Sequence, residues 1–248
     1  MDFFSIIRLA IKSFWGDSTT KYVSRYELLG SIAKQWDLRL YNFNAMWYRD
    51  NEFKYIIDAF PTGGITAKRY NLYYLARAVS HLEGDTAECG VAEGIMSYLI
   101  HKATNKQGRF HHIFDSFQGL SAPASNDNPK ANVPTLKKGD FSVSEERVRM
   151  NLGNRDTIKL YKGWIPSRFQ EVKDKTFIFV HIDVDFYEPT LESLRFFYPR
   201  MASNGIIICD DYGYLNTPGS EQAMDEFFSD KPEVLVKLDA GHAFVIKQ

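Results

Sequence analysis

The sequence predicts an α/β fold built on a doubly wound, mainly parallel sheet of seven strands. Three observations support this prediction: apolar segments alternate with segments of helical periodicity, several apolar segments are continuous, and two of them end abruptly in carboxylates. Continuous apolar runs of this length are typical of strands buried on both faces. We therefore expect helices to cover both faces of the sheet.

The regular part of the chain alternates strands with helices, and turn residues separate them. In order, the predicted elements are a helix at 68–80, a strand at 85–89, a helix at 96–102, a strand at 111–114, a helix at 144–151, strands at 157–161 and 176–182, a helix at 189–198, a strand at 205–209, a helix at 218–229, and strands at 234–238 and 243–247. The last two strands are expected to pair as an antiparallel hairpin at the sheet edge. The polar loop at 121–138, which contains three prolines, is the expected mobile lid.

Residues 1–64 are predicted to form a helical, aromatic-rich extension ahead of the domain at 65–248. The Pro-Thr-Gly-Gly turn at 61–64 marks the boundary. Near the start, an apolar helix face is interrupted by Arg8 and Lys12. We expect this helix to pack on the domain or on a second subunit; a helix lying on a membrane surface is the alternative. The extension either covers the mouth of a site as a lid or forms a contact in a homo-oligomer.

Composition narrows the class of protein. The 248 residues suit one α/β domain with a small extension. The chain carries 30 basic and 31 acidic side chains, so no basic excess favours a nucleic-acid partner. Cys89 and Cys209 fall in predicted buried strands, which indicates core residues in a reducing, cytoplasmic compartment rather than a disulfide framework. No apolar stretch is long enough to span a bilayer.

Carboxylates follow two neighbouring strands of the predicted sheet. Asp183 and Asp185 come after the fourth strand, and Asp210 and Asp211 come after the fifth. Because ligands bind beyond the carboxyl ends of parallel strands, four carboxylates converge on one site. This concentration of negative charge favours a hard divalent cation, and oxygen ligands suit Mg²⁺. The alternative is that these aspartates cap the helices or turns that follow them.

A second candidate site follows the first two strands. The turn from Glu88 to Gly94 has glycines where a backbone approaches a ligand closely, but it is not the G-x-G-x-x-G of a dinucleotide fold. Asp115 ends the second strand, and its carboxylate can accept hydrogen bonds from both ribose hydroxyls of an adenosine. This pairing suits S-adenosylmethionine, which has no phosphate; a plain strand-to-helix turn is the alternative. The first strand should neighbour the fourth, so the two sites should lie side by side.

The sequence resembles a known family in six strings: DTAECGVAEG, IFDSFQGL, KGDFS, LYKGWIPSRF, HIDVDFYEPTLESLRFFYP and GIIICDDYG. Together they resemble the macrocin O-methyltransferase family, which comprises metal-dependent, class I S-adenosylmethionine sugar methyltransferases of natural-product pathways, such as those acting on mycinamicin and novobiocin sugars. The resemblance covers roughly residues 62–248, and its most specific part is the combination of HIDVDFYEPT with CDDYG. The earlier residues match nothing that we can place.

The resemblance implies a set of cofactor-binding residues. They are Glu88, Gly90 and Gly94 on the methionine side; Asp115, Ser116 and Phe117 at the ribose; and Asp140, Gly163, Trp164 and Asp183 elsewhere around S-adenosylmethionine. The chain departs from the family pattern at 94–97, where Gly-Ile-Met-Ser replaces a Gly-Gly or Gly-Ser-like ending. It also has Gly-Ile-Thr at 64–66 where the family commonly has Thr-Met. These departures bear on the cofactor contacts at both places.

The resemblance also implies the metal ligands and the catalytic residues. Asp183, Asp210 and Asp211 match the metal ligands, and Asp185 matches the general base, so Asp183 and Asp185 are the expected catalytic pair. A divalent cation, Mg²⁺ or another, would lower the pKa of an acceptor hydroxyl, and Asp185 would take its proton. The expected acceptor is a sugar hydroxyl on a glycosylated natural product or a saccharide.

Two other function classes compete with this interpretation. A non-catalytic adenosyl-binding protein would keep the fold without transferring a methyl group. A different metal-dependent enzyme, such as a hydrolase, would use the carboxylates alone, although the absence of a P-loop counts against a kinase or NTPase. His181 lies inside an apolar run and is expected to be a hydrogen-bonded core histidine rather than a ligand. Tyr187, Tyr212 and Trp164 either stack on a sugar or adenine, or pack in the core.

Overall fold

The computed structural model of this chain describes residues 3–15, 17–34, 49–61, 66–129 and 133–248. Its α-helices are α1 (Phe3–Trp15), α2 (Ser18–Lys34), α3 (Asn51–Asp58), α4 (Ala67–Ala78), α5 (Ile95–Thr104), α6 (Glu145–Leu152), α7 (Tyr187–Phe197) and α8 (Pro218–Phe228). Its strands are β1 (Asp85–Cys89), β2 (His111–Asp115), β3 (Ile158–Lys162), β4 (Phe177–Ile182), β5 (Met201–Cys209), β6 (Val236–Leu238) and β7 (His242–Ile246). The chain divides into two compact units, Met1–Asp58 and Ala59–Gln248.

The first unit is helical in its described part. α1 and α2 pack against each other. Asp17 caps α2, because its carboxylate accepts a hydrogen bond from the Thr20 amide at 2.7 Å. α1 exposes a row of apolar side chains that ends in Phe14 and Trp15. Residues 35–48, which carry many of the aromatic side chains of the predicted extension, lie outside the described residues.

The predicted boundary at 61–64 overlaps residues 62–65, which the structure does not describe. The division into two compact units falls between Asp58 and Ala59. A domain boundary at residue 64, and the role of the extension as a lid or an oligomer contact, stay predictions. None of the described helices has both the length and the apolar character that crossing a bilayer requires.

The second unit carries a seven-stranded sheet in the order β3-β2-β1-β4-β5-β7-β6. All the pairings among β1, β2, β3, β4 and β5 are parallel. β7 pairs antiparallel with both β5 and β6, which forms the hairpin at the carboxyl-terminal edge. The predicted fold class is confirmed, and β1 lies beside β4 as predicted.

The three central strands end at one level. Ile182, the last residue of β4, pairs with the last residue of β1 and with the last residue of β5. The residues that follow these strand ends, Gly90, Asp183 and Asp210, therefore leave the sheet side by side. All six residues of β4 are buried, as expected for a central strand covered on both faces.

Most boundaries differ from the prediction by one or two residues, and the starts of α7 and β5 have a structural explanation. α7 begins at Tyr187, two residues before the predicted start, because Pro189 fits the first helical turn, where a missing amide hydrogen removes no helical hydrogen bond. β5 begins at Met201, four residues before the predicted start. Its pairing with β4 changes register between Phe177 and Phe179, so the additional residues lie beyond an irregularity in the ladder.

Aromatic side chains fill the core between α7 and the sheet. The Phe197 ring is fully buried. Its centroid lies 5.0–5.9 Å from those of Phe114, Phe169, Phe177 and Phe196. Edge-to-face rings at these separations add to the hydrophobic contribution of their burial.

We expect Phe197→Ala to lower the free energy of unfolding by about 3–5 kcal/mol, because it leaves a cavity that four neighbouring rings cannot fill. Urea unfolding followed by far-UV circular dichroism measures this loss. The matched control is Met150→Ala, because Met150 is 61% exposed; its effect should stay within about 0.5 kcal/mol. A loss below about 1 kcal/mol for Phe197→Ala would contradict a central role for this ring.

Candidate active site

A cavity of about 560 Å³ lies beyond the carboxyl ends of the central strands. Segments that follow β1, β2, β3, β4 and β5 all contribute to its lining. The lining includes Gly90, Val91, Ala92, Asp115, Ser116, Leu120, Ser121, Phe141, Gly163, Trp164, Asp183, Val184, Asp185, Glu188 and Asp211. Residues from both predicted sites therefore share one cavity, as their adjacent strands imply.

The turn after β1 touches the start of the carboxylate segment. Gly90 has φ +81°, and a Cβ placed there would lie 1.8 Å from the Asp183 carbonyl oxygen, which no side chain tolerates. The Asp183 amide in turn donates a hydrogen bond to the Cys89 carbonyl at 2.8 Å. Gly94 has a different place: it caps α5 with φ +93°, packs against Leu152, and lies outside the cavity lining.

Asp115 joins the loops that follow β1 and β2. Its carboxylate accepts a hydrogen bond from the Val91 amide at 2.7 Å and another from the Phe117 amide at 2.6 Å. Burial raises the pKa of Asp115, and these two hydrogen bonds oppose the rise. Ser116 also lines the cavity and donates its hydroxyl to the Gly119 carbonyl. Phe117 is buried and lies outside the lining.

Glu88 lies beneath the cavity rather than in its lining. One carboxylate oxygen lies 2.8 Å from His181 Nδ1, and the other accepts a hydrogen bond from the Ser97 hydroxyl. Ser97 continues the chain of contacts to His111 Nε2 at 2.9 Å. Burial raises the pKa of Glu88. A direct cofactor contact by this side chain stays a prediction.

Asp140 lies in a turn beside the cavity. Its carboxylate accepts a hydrogen bond from the Lys137 amide at 2.8 Å, and its carbonyl accepts one from the Leu120 amide at 2.9 Å. The lining residue at this point is the next one, Phe141, which is 60% exposed. Asp140 thus supports the loops that reach the cavity, and its assignment as a cofactor contact also stays a prediction.

The structure brings the four predicted carboxylates together. Asp183, Asp185 and Asp211 line the cavity, and Asp210 is buried behind them. The Asp185 amide donates a hydrogen bond to the Asp211 carboxylate at 3.0 Å. Asp185 has φ +60°, a left-handed conformation that is uncommon outside glycine, and Ser220 supports it by donating a hydrogen bond to its carbonyl at 2.7 Å.

The four carboxylates divide by pKa. Burial, followed by the nearby Asp210 and Asp211, raises the pKa of Asp183 well above its usual range. Burial and the Asp211 charge raise the pKa of Asp185 to about 8, and burial with the Asp210 charge raises that of Asp211 to about 6. Asp210 alone among these four shifts the other way, because His181, His242 and Lys68 outweigh the effect of its burial on the pKa. Asp210 therefore loses its proton at a lower pH than its three neighbours do.

Three of the groups around Asp210 were not predicted as site residues. The Lys68 ammonium lies 2.5 Å from its carboxylate, His181 Nε2 lies 3.5 Å away, and His242 Nδ1 lies 3.8 Å away. His181 is fully buried between Glu88 and Asp210, as predicted for a hydrogen-bonded core histidine. Lys68 gave no signal in the sequence, because it lies 142 residues from its partner.

The donor set fits a divalent cation. Ligand atoms of His181, Asp183 and Asp210 all lie within 4.8 Å of one another among the described residues. Carboxylate oxygens, here those of Asp183 and Asp210, are the ligands that Mg²⁺ prefers. Burial and the neighbouring negative charge together raise the pKa values of Asp183 and Asp211, and a bound cation would offset both effects.

The aromatic residues divide between the cavity and the core. Trp164 lines the cavity and is 42% exposed. Tyr187 donates its hydroxyl to Glu226 at 2.6 Å, outside the lining. Tyr212 is buried and donates its hydroxyl to Asp225 at 2.8 Å. The stacking role considered for all three therefore remains open for Trp164. Tyr212 packs in the core, as the alternative predicts, whereas Tyr187 is partly exposed.

The described part of the predicted lid loop is anchored at its short 3-10 helix. This helix, Ser125–Asp127, ends in a buried aspartate. That side chain accepts hydrogen bonds from the Tyr187 amide at 2.7 Å and from the Ala124 amide at 2.8 Å. Leu120 and Ser121, at the start of the loop, reach the cavity. Residues 130–132 are not described, and the mobility of the loop stays a prediction.

The sheet order and the shared cavity at the β1/β4 switch point define a class I methyltransferase fold. A model of the macrocin O-methyltransferase (TylF) family matches residues 70–242, and the chain belongs to this family.

Two relatives with assigned activities resemble the chain. It is 28% identical over 171 residues to demethyldecarbamoylnovobiocin O-methyltransferase of Streptomyces niveus. This alignment covers 64% of each chain. It is 26% identical over 153 residues to 8-demethyl-8-(2,3-dimethoxy-alpha-L-rhamnosyl)-tetracenomycin-C 4'-O-methyltransferase of Streptomyces olivaceus. This alignment covers 57% of this chain and 59% of the relative. The alignments thus span less than two thirds of each relative.

Solved structures share the fold. The O-methyltransferase NovP superposes with a TM-score of 0.59 at 25% identity, covering 73% of this chain and 79% of NovP. The calicheamicin methyltransferase CalS11 superposes with a TM-score of 0.61 at 18% identity, covering 98% of this chain and 91% of CalS11. At 18% identity, the similarity to CalS11 shows a shared fold and nothing more.

The carboxylate pKa values predict how stability depends on pH. Asp185 and Asp211 have pKa values of about 8 and about 6, above the ordinary 3.8. The folded chain holds these protons to higher pH than the unfolded chain, so without a divalent cation it should lose stability as the pH rises from about 4 to about 8. Mg²⁺ binds the deprotonated groups, so it should raise Tm more at about pH 8 than at about pH 6.

Differential scanning fluorimetry, with chelator or with excess Mg²⁺, measures this difference. Na⁺ at equal ionic strength controls for general screening of the charges. An equal Mg²⁺ effect on Tm at both pH values would mean that the carboxylate protons are not displaced by the cation.

Proposed function

We propose that this protein is an S-adenosylmethionine-dependent O-methyltransferase that uses a divalent cation, Mg²⁺ in the first instance, to activate a sugar hydroxyl. Membership of the macrocin O-methyltransferase family supports the reaction class. One structural observation carries the proposal: the glycine turn with Asp115 and the carboxylates Asp183, Asp185 and Asp211 line the same cavity. A methyl donor and an activated hydroxyl would therefore meet there.

The β1 and β2 ends supply the cofactor half of the cavity. Gly90 brings its backbone to the cavity surface, where a side chain would collide with Asp183. Asp115 uses one lone pair of each carboxylate oxygen for the Val91 and Phe117 amides. Each oxygen has a second lone pair, so the carboxylate can still accept hydrogen bonds from two ribose hydroxyls. Trp164 offers an exposed ring for stacking.

The β4 and β5 ends supply the catalytic half. When bound, the cation lowers the pKa of the acceptor hydroxyl, and the sulfonium supplies the methyl group. Asp183, Asp210 and Asp211 would hold the cation. Asp185 would accept the hydroxyl proton as the general base. The fixed backbone around Asp185 orients this carboxylate, so proximity supplies much of the rate.

The acceptor is proposed from the relatives. Their names give a novobiocin derivative and a rhamnosyl group of a tetracenomycin. For this chain we propose a sugar hydroxyl of a glycosylated small molecule or a saccharide. Polar side chains at the cavity, Ser121 and the exposed Glu188, suit hydrogen bonding to sugar hydroxyls.

The proposal also covers the oligomeric state and the cellular location. We propose a homo-oligomer, which the exposed apolar side chains of α1, including Phe14 and Trp15, support. We propose a cytoplasmic location, which agrees with two free, buried cysteines.

Asp115→Asn should weaken S-adenosylmethionine binding roughly 10- to 100-fold, because it removes a charged acceptor worth about 1.5–3 kcal/mol. Isothermal titration calorimetry measures the affinity, with Mg²⁺ and with chelator. Asp156→Asn, at an exposed position outside this cavity, is the control. Wild-type affinity in Asp115→Asn would remove this residue from the cofactor site. If the wild-type protein binds no S-adenosylmethionine in either condition, S-adenosylmethionine is refuted as the methyl donor.

Asp183→Asn and Asp185→Asn separate the metal from the base. Asp185→Asn should lower S-adenosylhomocysteine release about 10²- to 10⁴-fold, because a general base is lost, while Mg²⁺ still binds. Asp183→Asn should abolish release and also weaken Mg²⁺ binding. Both variants should keep S-adenosylmethionine affinity within about threefold of the wild type, a difference below 1 kcal/mol. Turnover by Asp185→Asn at the wild-type rate would exclude it as the base.

A further inference from the structure

The Lys68 side chain reaches into the carboxylate cluster from the first turn of α4. Its ammonium lies 2.5 Å from the Asp210 carboxylate oxygen Oδ2 and 2.6 Å from the Asp210 carbonyl oxygen. The side chain is only 18% exposed. The same ammonium lies 4.5 Å from the centroid of the Tyr214 ring, which adds a cation–π contact. Lys68 is thus held at three points.

The Tyr214 ring, which is 41% exposed, packs on one side against a turn of the chain. The ring of Tyr214 lies against Gly241 in the turn between β6 and β7, and a Cβ at Gly241 would lie 2.4 Å from it. Gly241 therefore leaves room for the ring that covers Lys68. The ammonium is held between this ring and Asp210, so it is part of a built site rather than a surface charge.

Lys68 and a divalent cation need the same oxygen atoms. Asp210 belongs to the cluster that fits a metal ion, and its other carboxylate oxygen, Oδ1, faces His181 Nε2 at 3.5 Å. A cation at Asp210 would meet either an oxygen bonded to the ammonium or one facing an imidazole. An ammonium and a dication close to one carboxylate also repel each other.

We propose that Lys68 is the resident counter-ion of the carboxylate cluster, and that a divalent cation displaces its ammonium from Asp210 when it binds. This inference rests on the proposed metal-dependent function. Lys68 then stabilises the fold in the absence of a cation and weakens the affinity for the cation. Binding of the cation is coupled to the first turn of α4, because that turn carries the displaced side chain.

A role of Lys68 in positioning Asp210 predicts the opposite change in cation affinity. If Lys68 instead positions Asp210 as a ligand, removing it should weaken cation binding. If it is a resident competitor, removing its charge should strengthen cation binding and lower the stability of the cation-free protein.

The test is Lys68→Met in the full-length chain, with Mg²⁺ affinity measured by isothermal titration calorimetry and Tm measured in chelator. We expect the Kd for Mg²⁺ to fall about tenfold or more, since one unit of opposing charge is removed. The Tm in chelator should fall, and the gain in Tm on adding Mg²⁺ should exceed that of the wild type. Lys68→Arg keeps the charge and should keep the Kd within about threefold of the wild type.

Lys247→Met is the matched control. The Lys247 ammonium lies 2.9 Å from Glu233, and its side chain is 19% exposed, close to the value for Lys68. It should lose stability in the same way without changing Mg²⁺ affinity. Tyr214→Leu is the second variant, for use if Lys68→Met does not fold. It loosens the ammonium without removing its charge and should lower the Kd by a smaller factor, about two- to threefold.

The outcomes separate the inference from the function. If the wild type binds Mg²⁺ and Lys68→Met, or Tyr214→Leu in its place, binds it equally or more weakly, the inference is overturned and the proposed function stands. If neither the wild type nor these variants bind Mg²⁺, the metal dependence fails and the inference fails with it. Tighter binding by Lys68→Met, with Lys247→Met unchanged, supports the inference.

Discussion

The mutual repulsion of four carboxylates is the constraint that shapes this site. Parallel pairing of β4 and β5 brings four carboxylates together despite their electrostatic repulsion: Asp183, Asp185, Asp210 and Asp211. The chain relieves the repulsion in two ways. Asp185 and Asp211 hold protons to higher pH than free carboxyls do, and Asp210 is surrounded by cationic or hydrogen-bonding partners. Both forms of relief are of a kind that a bound dication can replace.

A buried polar chain beneath the cavity supports this arrangement. Ser97, Glu88, His181 and Asp210 follow one another across α5, β1, β4 and β5. Burial alone would lower the pKa of His181, but Asp210 and Glu88 raise it to about 10, so it carries a charge between two acids. The desolvation of buried charged groups offsets much of their mutual attraction, so their net contribution to stability is small. The orientation of Asp210 is tied through these contacts to the register of three central strands.

The carboxylate cluster was predictable because it depends on local pattern and one topological rule. Apolar runs mark the strands, and parallel pairing brings their carboxyl ends to one edge. The direction of Glu88 was not predictable, since every residue of β1 is buried and alternation cannot distinguish its two faces. Lys68 was not predictable either, because a helix periodicity gives no information on a partner 142 residues away. Nor could the sequence separate Trp164 from the two tyrosines.

The backbone contact between Gly90 and Asp183 explains why the two halves of the site work as one unit. A collision-free approach there requires glycine, and the Asp183 amide is bonded to the last carbonyl of β1. A shift of the cofactor loop would therefore move the first carboxylate with it. In the proposed reaction, methyl transfer would gain most from reactants held in line at short range, and a rigid joint between the two halves of the cavity would serve this. Residues outside this joint, at the start of the 121–138 loop and on α7, also line the cavity, and substitutions there would leave the joint unchanged.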